Sequence, residues 1–110
     1  MRLPKGDLAI VDISKLRGYC LNPHHPQGRH KARVFMTTLG MTAADARELQ
    51  AAILAAARGG TAFEKSADTY GRRYVMDLTI NRGERAAMVR SAWIVKHGED
   101  IPRLTSCYVL

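Results

Sequence analysis

Between Ile13 and Ala44 this chain has no aspartate or glutamate, although the stretch carries five basic residues and three of the four histidines. A segment so purely cationic is built to meet an anion, and imidazoles beside fixed positive charge can also move protons on it. Cysteine is scarce as well. Cys20 and Cys107 are the only two, far apart in the chain, which excludes a dense disulfide framework and makes a reducing, cytoplasmic setting the expectation. Sequence alone leaves open whether the two approach each other. No run reaches the roughly 18 consecutive apolar residues of a membrane span, and the opening MRLPKGDLAIVD lacks the apolar core of a signal peptide. Low-complexity runs are missing too. So are a Gly-rich phosphate loop, a G-x-S-x-G elbow and paired carboxylates in a suggestive context, which removes the footing of most catalytic classes.

What is present is a strong positive balance. The 110 residues carry a formal net charge of +7, with 46% hydrophobic and 25% charged residues. That composition suits one folded unit, residues 1–110, with a two-layer core and no room for a second interior. The charge implies long-range attraction to polyanions, RNA phosphate first, with an acidic protein partner as the other reading. A second basic cluster spans Tyr70 to Lys96, where Arg72, Arg73, Arg82, Arg85, Arg90 and Lys96 face only Asp77 and Glu84.

Periodicity divides the chain into a helical half, about 14–60, and a sheet half, about 61–110. Asp7 to Ile13 reads as a short β-type segment, followed by Ser14 as N-cap of a brief helix Lys15 to Cys20. Asn22-Pro23 ends that helix, and a loop through Pro26 and Gly28 leads to a second, about Arg29 to Leu39. Its Ala32, Phe35, Met36 and Leu39 follow the spacing of a buried stripe, and Gly40 supplies the C-cap. Thr42 with Asp45 forms a capping box opening an Ala-rich helix to about Arg58, with a core line of Ala46, Leu49, Ala52, Ile53 and Ala56. Thereafter the period falls to two. Tyr74 to Ile80 and Arg85 to Val95 make a hairpin around Asn81-Arg82-Gly83-Glu84, Arg103 to Val109 adds a strand, and Ala62 to Lys65 is an edge candidate. The expected fold is α+β, with N-terminal helices packed on one face of a C-terminal antiparallel sheet of three to four strands.

Several side chains stand out as chemical candidates. Arg90, in the middle of a mainly apolar strand, must meet either an external anion or the neighbouring Asp77. Trp93 reads as a core anchor. On the last strand strict alternation places Arg103, Thr105, Cys107 and Val109 on one face and Leu104, Ser106 and Tyr108 on the other. Arg103 and Thr105 side by side can hold a phosphate by charge and hydrogen bond, or can be an ordinary solvent-facing pair. Cys20, His24, His25 and His30 fall close together, yet their spacing matches no standard zinc pattern, so neither a metal nor a cofactor is expected. Cys107 reads as a small core residue rather than a nucleophile.

The run KLRGYCLNPHHPQGRHKARVFMTTLGMT, then RSAWIV, then the closing PRLTSCYVL resemble a bacterial family of unknown function. Its members read K-L-x-x-Y-x-L-N-x-x-H-P-x-G-x-x-K-A-x-x-F-x-x-x-L-G and end in W-x-V and P-x-L-T-x-Y. Related sequences occur as C-terminal modules of polymorphic toxins and near phage-type proteins. The helix-then-sheet order is similar to the ribonuclease assemblage that includes barnase, EndoU, colicin ribonucleases and RelE. The resemblance implies metal-independent cleavage of RNA through a 2′,3′-cyclic phosphate, and an acidic immunity- or antitoxin-type partner. On that reading His30 is the base or acid, Lys31 and Arg90 stabilise the phosphorane, and Thr105 orients the phosphate. Arg33, His25, Arg103 and Tyr108 would contact substrate. Tyr108 and Thr105 share one site only if a bulge intervenes. The alternative is a non-catalytic nucleic-acid-binding or protein-interaction module, or a purely structural role.

Overall fold

A computed structural model describes residues 1–110. The helical elements come first: α1 (Ile13–Lys15), which continues as a π-helical turn over Leu16–Cys20, then α2 (Arg29–Leu39) and α3 (Ala46–Gly59). Four strands follow, β1 (Ala62–Asp68), β2 (Gly71–Arg82), β3 (Arg85–Lys96) and β4 (Arg103–Val109). They form one antiparallel sheet in sequence order, with β1 and β4 at its edges. The fold is therefore α+β, helices on a four-stranded meander. Both halves feed one hydrophobic core that includes Leu16, Phe35, Leu39, Leu49, Ile53, Tyr74, Met76, Val89 and Trp93.

Local chemistry accounts for the helix ends. Gly40 takes a left-handed φ of 67°, and its N–H and that of Met41 close back on the carbonyls of Met36 and Phe35. Thr42 and Asp45 make the expected reciprocal cap, the Thr42 N–H donating to the Asp45 carboxylate at 2.9 Å. Arg82, in the β2–β3 hairpin, donates to the Leu39 carbonyl at 2.9 Å and to Glu48 at 2.8 Å. The hairpin is thereby clamped to the end of α2 and the start of α3.

Elsewhere the structure departs from the periodic reading. Asp7 to Ile13 is not a strand. Lys5 adopts a left-handed φ of 50°, Gly6–Leu8 forms a single 3₁₀ turn, and only Ile10 bridges to Arg103. The first helix begins earlier than expected, because the Asp12 carboxylate, not Ser14, accepts the capping N–H, that of Ser14 itself, at 2.9 Å. On α2 the core takes Ala32, Phe35 and Leu39 but leaves Met36 52% exposed, since the sheet covers a narrower stripe than the pattern offered. On α3 the buried line is Ala46, Leu49, Ile53 and Ala57, with Ala52 and Ala56 half-buried beside it.

The last strand corrects the alternation rule. Ala92 pairs with Ser106 but Trp93 pairs with Leu104, so Thr105 is an extra residue in β4. This bulge puts Leu104 and Cys107 both in the core, where strict alternation placed them on opposite faces. Trp93 is buried between its cross-strand neighbours Tyr74 and Leu104. Its indole N–H donates to Ser91 Oγ at 2.9 Å, and that hydroxyl donates to the Met76 carbonyl at 2.7 Å.

Candidate functional site

The loop before α2 is held by its own polar groups. Asn22 accepts from the His24 N–H at 2.9 Å and donates to the Gly18 carbonyl at 3.2 Å. His25 Nδ1 accepts two backbone N–H groups, those of Gln27 and Gly28, each at 3.0 Å. Its ring also stands edge-on to Tyr19, centroids 4.8 Å apart. His25 Nδ1 is thus engaged inside the loop, while its ring lines a cavity with Ser14, Lys15, Tyr19 and Gln27. Gly28 is required by close approach, because a Cβ there would strike the Tyr19 carbonyl and ring.

Packed in this way, the loop aims the first turn of α2 at the end of β4. Lys31 Nζ donates to the Tyr19 hydroxyl at 3.2 Å, and lies 5.2 Å from the Tyr19 ring centroid and 5.9 Å from that of Tyr108. A cation between two aromatic faces gains from both quadrupoles. His30, Lys31, Val34, Tyr108 and Val109 line one open cavity of about 310 Å³. Three of the candidate residues, His30, Lys31 and Tyr108, therefore share a wall. Tyr19 completes the clasp around Lys31. In the sequence the one signal of Tyr19 is its place in the K-L-x-x-Y run.

The other candidates lie apart or are already engaged. Arg33 is on the opposite flank of α2, in a groove of about 700 Å³ that also holds His24, Arg29, Ala32, Met36 and Met41. Arg103 pairs with Glu99 at 3.2 Å. Thr105, displaced by the bulge, donates its hydroxyl to the Ala92 carbonyl at 3.1 Å. Arg90 meets Asp77 on the adjacent strand through two hydrogen bonds, at 2.8 and 3.0 Å. Of the two partners the sequence allowed, the structure has the internal one. Tyr108 is the cross-strand neighbour of Arg90, so the ring touched by Lys31 also adjoins the Arg90–Asp77 pair.

The electrostatics follow this geometry. Hydrogen bonding and charge from Asp77, with a smaller contribution from Tyr108, raise the Arg90 pKa. The Arg90 guanidinium in turn holds the Asp77 carboxyl below the usual carboxylate range. A depressed folded-state pKa contributes stability that is present above about pH 4 and is lost as the pH falls through the folded value. Asp77→Asn is expected to cost about 1 kcal/mol at neutral pH. Its deficit against the unmodified protein should shrink as urea midpoints are followed from pH 7 to pH 3. Parallel acid profiles would show that the pair does not act this way.

At no point do the acidic groups neutralise α2. Arg29, His30, Lys31 and Arg33 form no ion pair, and the helix carries no carboxylate. The arrangement defines a basic α+β module with a cationic helix face, an exposed imidazole and a phenol at one cavity. The chain belongs to the family described as Domain of unknown function (DUF6883), whose model matches residues 2–110. No curated protein and no solved structure matches it. No helix is long and apolar enough to cross a membrane.

Proposed function

We propose that this module binds RNA through its phosphate backbone along α2 and cleaves it without metal at the His30 cavity, leaving a 2′,3′-cyclic phosphate. The observation that carries the reading is that His30, Lys31 and Tyr108 line one cavity on a helix whose other flank carries the unpaired Arg29 and Arg33. In the cleavage step His30 takes the proton of the ribose 2′-hydroxyl, and the freed oxygen attacks the adjacent phosphorus. The bond to the 5′-oxygen breaks, and that oxygen takes a proton from an acid, for which Tyr108 is the group across the cavity. Lys31 stabilises the charge that gathers on the phosphorane. Arg90 acts behind Tyr108 while Asp77 holds it. Thr105 enters only if its hydroxyl leaves the Ala92 carbonyl.

A second reading is favoured by the groove on the other flank of α2. Leu21, Ala32, Met36 and Met41 make it apolar, Arg29 and Arg33 make it cationic, and no carboxylate lines it. An acidic protein of immunity or antitoxin type would complement that surface, whether or not the module cleaves RNA. End-labelled RNA incubated in EDTA with the protein and with His30→Ala separates the readings. Cleavage that survives chelation and vanishes in the variant supports the nuclease. Equal retention of intact RNA by both proteins leaves a non-catalytic binding module.

A further inference from the structure

We propose that Cys20 and Cys107 form a paired oxidation site that closes to a disulfide directly beneath the Lys31 clasp. The two thiols lie 87 residues apart in sequence, yet they meet where the π-helical turn packs on β4, and both are fully buried. The Cys107 N–H donates to Cys20 Sγ at 3.4 Å. That nitrogen is only three covalent bonds from the sulfur of Cys107 itself. The Ser106 hydroxyl stands 4.0 Å from Cys20 Sγ. Cys107 reaches the core because it pairs with the buried Ser91, and the bulge at Thr105 places Leu104 on that same face.

The two thiols are unequal. Contact with the Cys107 thiol lowers the Cys20 pKa, helped against burial by the Cys107 N–H, the Ser106 hydroxyl and the Lys31 charge. Contact with Cys20 and burial push the Cys107 thiol up. The Cys107 N–H and the Ser106 hydroxyl both stand at Cys20 Sγ, which makes Cys20 the attacking sulfur and Cys107 the resolving one. With a small disulfide such as glutathione disulfide, the Cys20 thiolate attacks one sulfur and expels the first glutathione thiolate. Cys107 then loses its proton and attacks the Cys20 sulfur, expelling the second. The protein thiols give up two protons and two electrons, one protein disulfide forms, and the oxidant is reduced to two thiols. Because both sulfurs are buried, the exchange waits on local opening of the edge strand β4.

The consequence reaches the site through chain neighbours. Cys20 follows Tyr19 and Cys107 precedes Tyr108, the two rings that flank Lys31. A disulfide pins the backbone beneath both rings. Closing so long a ring also restricts the unfolded chain strongly, so the melting temperature should rise by several degrees and up to roughly 15 °C.

The test is incubation of the folded, reduced protein with excess glutathione disulfide, followed by intact-mass analysis and peptide mapping. The expected product is a monomer about 2 Da lighter, linked Cys20 to Cys107, with a raised melting temperature that dithiothreitol reverses. Cys107→Ser should stop at a glutathione adduct on Cys20, and Cys20→Ser should react little. Adducts on both cysteines, intermolecular dimers, or a folded protein that stays unreacted while the urea-unfolded chain oxidises would each overturn the proposal. The Lys31 side-chain resonance should move on oxidation of the unmodified protein and stay in place in Cys107→Ser. An unmoved resonance in a protein shown to carry the disulfide would overturn the link to Lys31.

Discussion

Replacing Trp93 by alanine is expected to lower stability by about 3–5 kcal/mol, a large share of the roughly 5–15 kcal/mol that holds a domain of this size. The side chain is 1% exposed in the middle of β3, flanked by Tyr74 and Leu104 on the strands to either side. Truncation opens a cavity at the centre of the sheet's helix-facing surface, where the backbone is held by pairing on both sides and cannot collapse inward. It also removes the indole N–H that donates to the buried Ser91 Oγ. The melting temperature should fall by about 15 °C. Trp93→Phe, which keeps an aromatic ring but loses the N–H, should fall about halfway. A Trp93→Ala protein that melts within about 3 °C of the unmodified chain would show that the indole is not the central packing element.

The second large effect concerns charge. If RNA phosphate lies along α2, exchanging Arg29, Lys31 and Arg33 together for glutamine should weaken binding of a single-stranded RNA roughly 100-fold at 0.1 M salt. Each contact removed should flatten the dependence of log affinity on log salt by about 0.7, so the slope should drop by about 2. The salt slope distinguishes loss of phosphate contacts from general damage, which lowers affinity without that signature. An unchanged melting temperature checks that the region around Lys31 still folds. Binding with unaltered affinity and slope would move the RNA face away from α2, with the basic residues of β2 and β3 the next place to look. The proposed cleavage at His30 stands separately, because a protein can hold RNA without cutting it.

Much of the architecture was readable from residue order, and the legible parts share a cause. The bounds of α2 were found by its apolar spacing and by Gly40, and the start of the long helix by Thr42 and Asp45, because helix periodicity and caps are decided within one or two turns. The β2–β3 hairpin and β4 were legible for the same reason, alternation and a Gly-containing turn. The concentration of His30, Lys31 and Arg33 at the head of α2 was equally plain from composition. Met36 misled because an apolar stripe states what a helix offers, not how much of it a sheet covers. The Asp7 to Ile13 segment departs from its β-type pattern because only Val11 is buried, Leu8 is left exposed, and Ile10 alone bridges to a strand.

What remained hidden depends on which distant groups meet. No local pattern announces an extra residue in β4, yet the Thr105 bulge brings Leu104 onto the core face that Cys107 also occupies. Nor does sequence choose between an external anion and Asp77 for Arg90. That choice follows from the register of β2 against β3, which sets the two directly opposite. Tyr19 became a clasp for Lys31 only when Gly28 let the loop close against it. By itself, then, the sequence determined the helices, the strands, their order and the cationic face of α2, all consequences of short-range periodicity, capping and charge. Tertiary structure alone decided that His30, Lys31 and Tyr108 share a cavity, that Arg90 and Thr105 are engaged internally, and that two distant cysteines touch. Those facts arise from strand register and from packing between residues tens of positions apart, where local propensity carries no information.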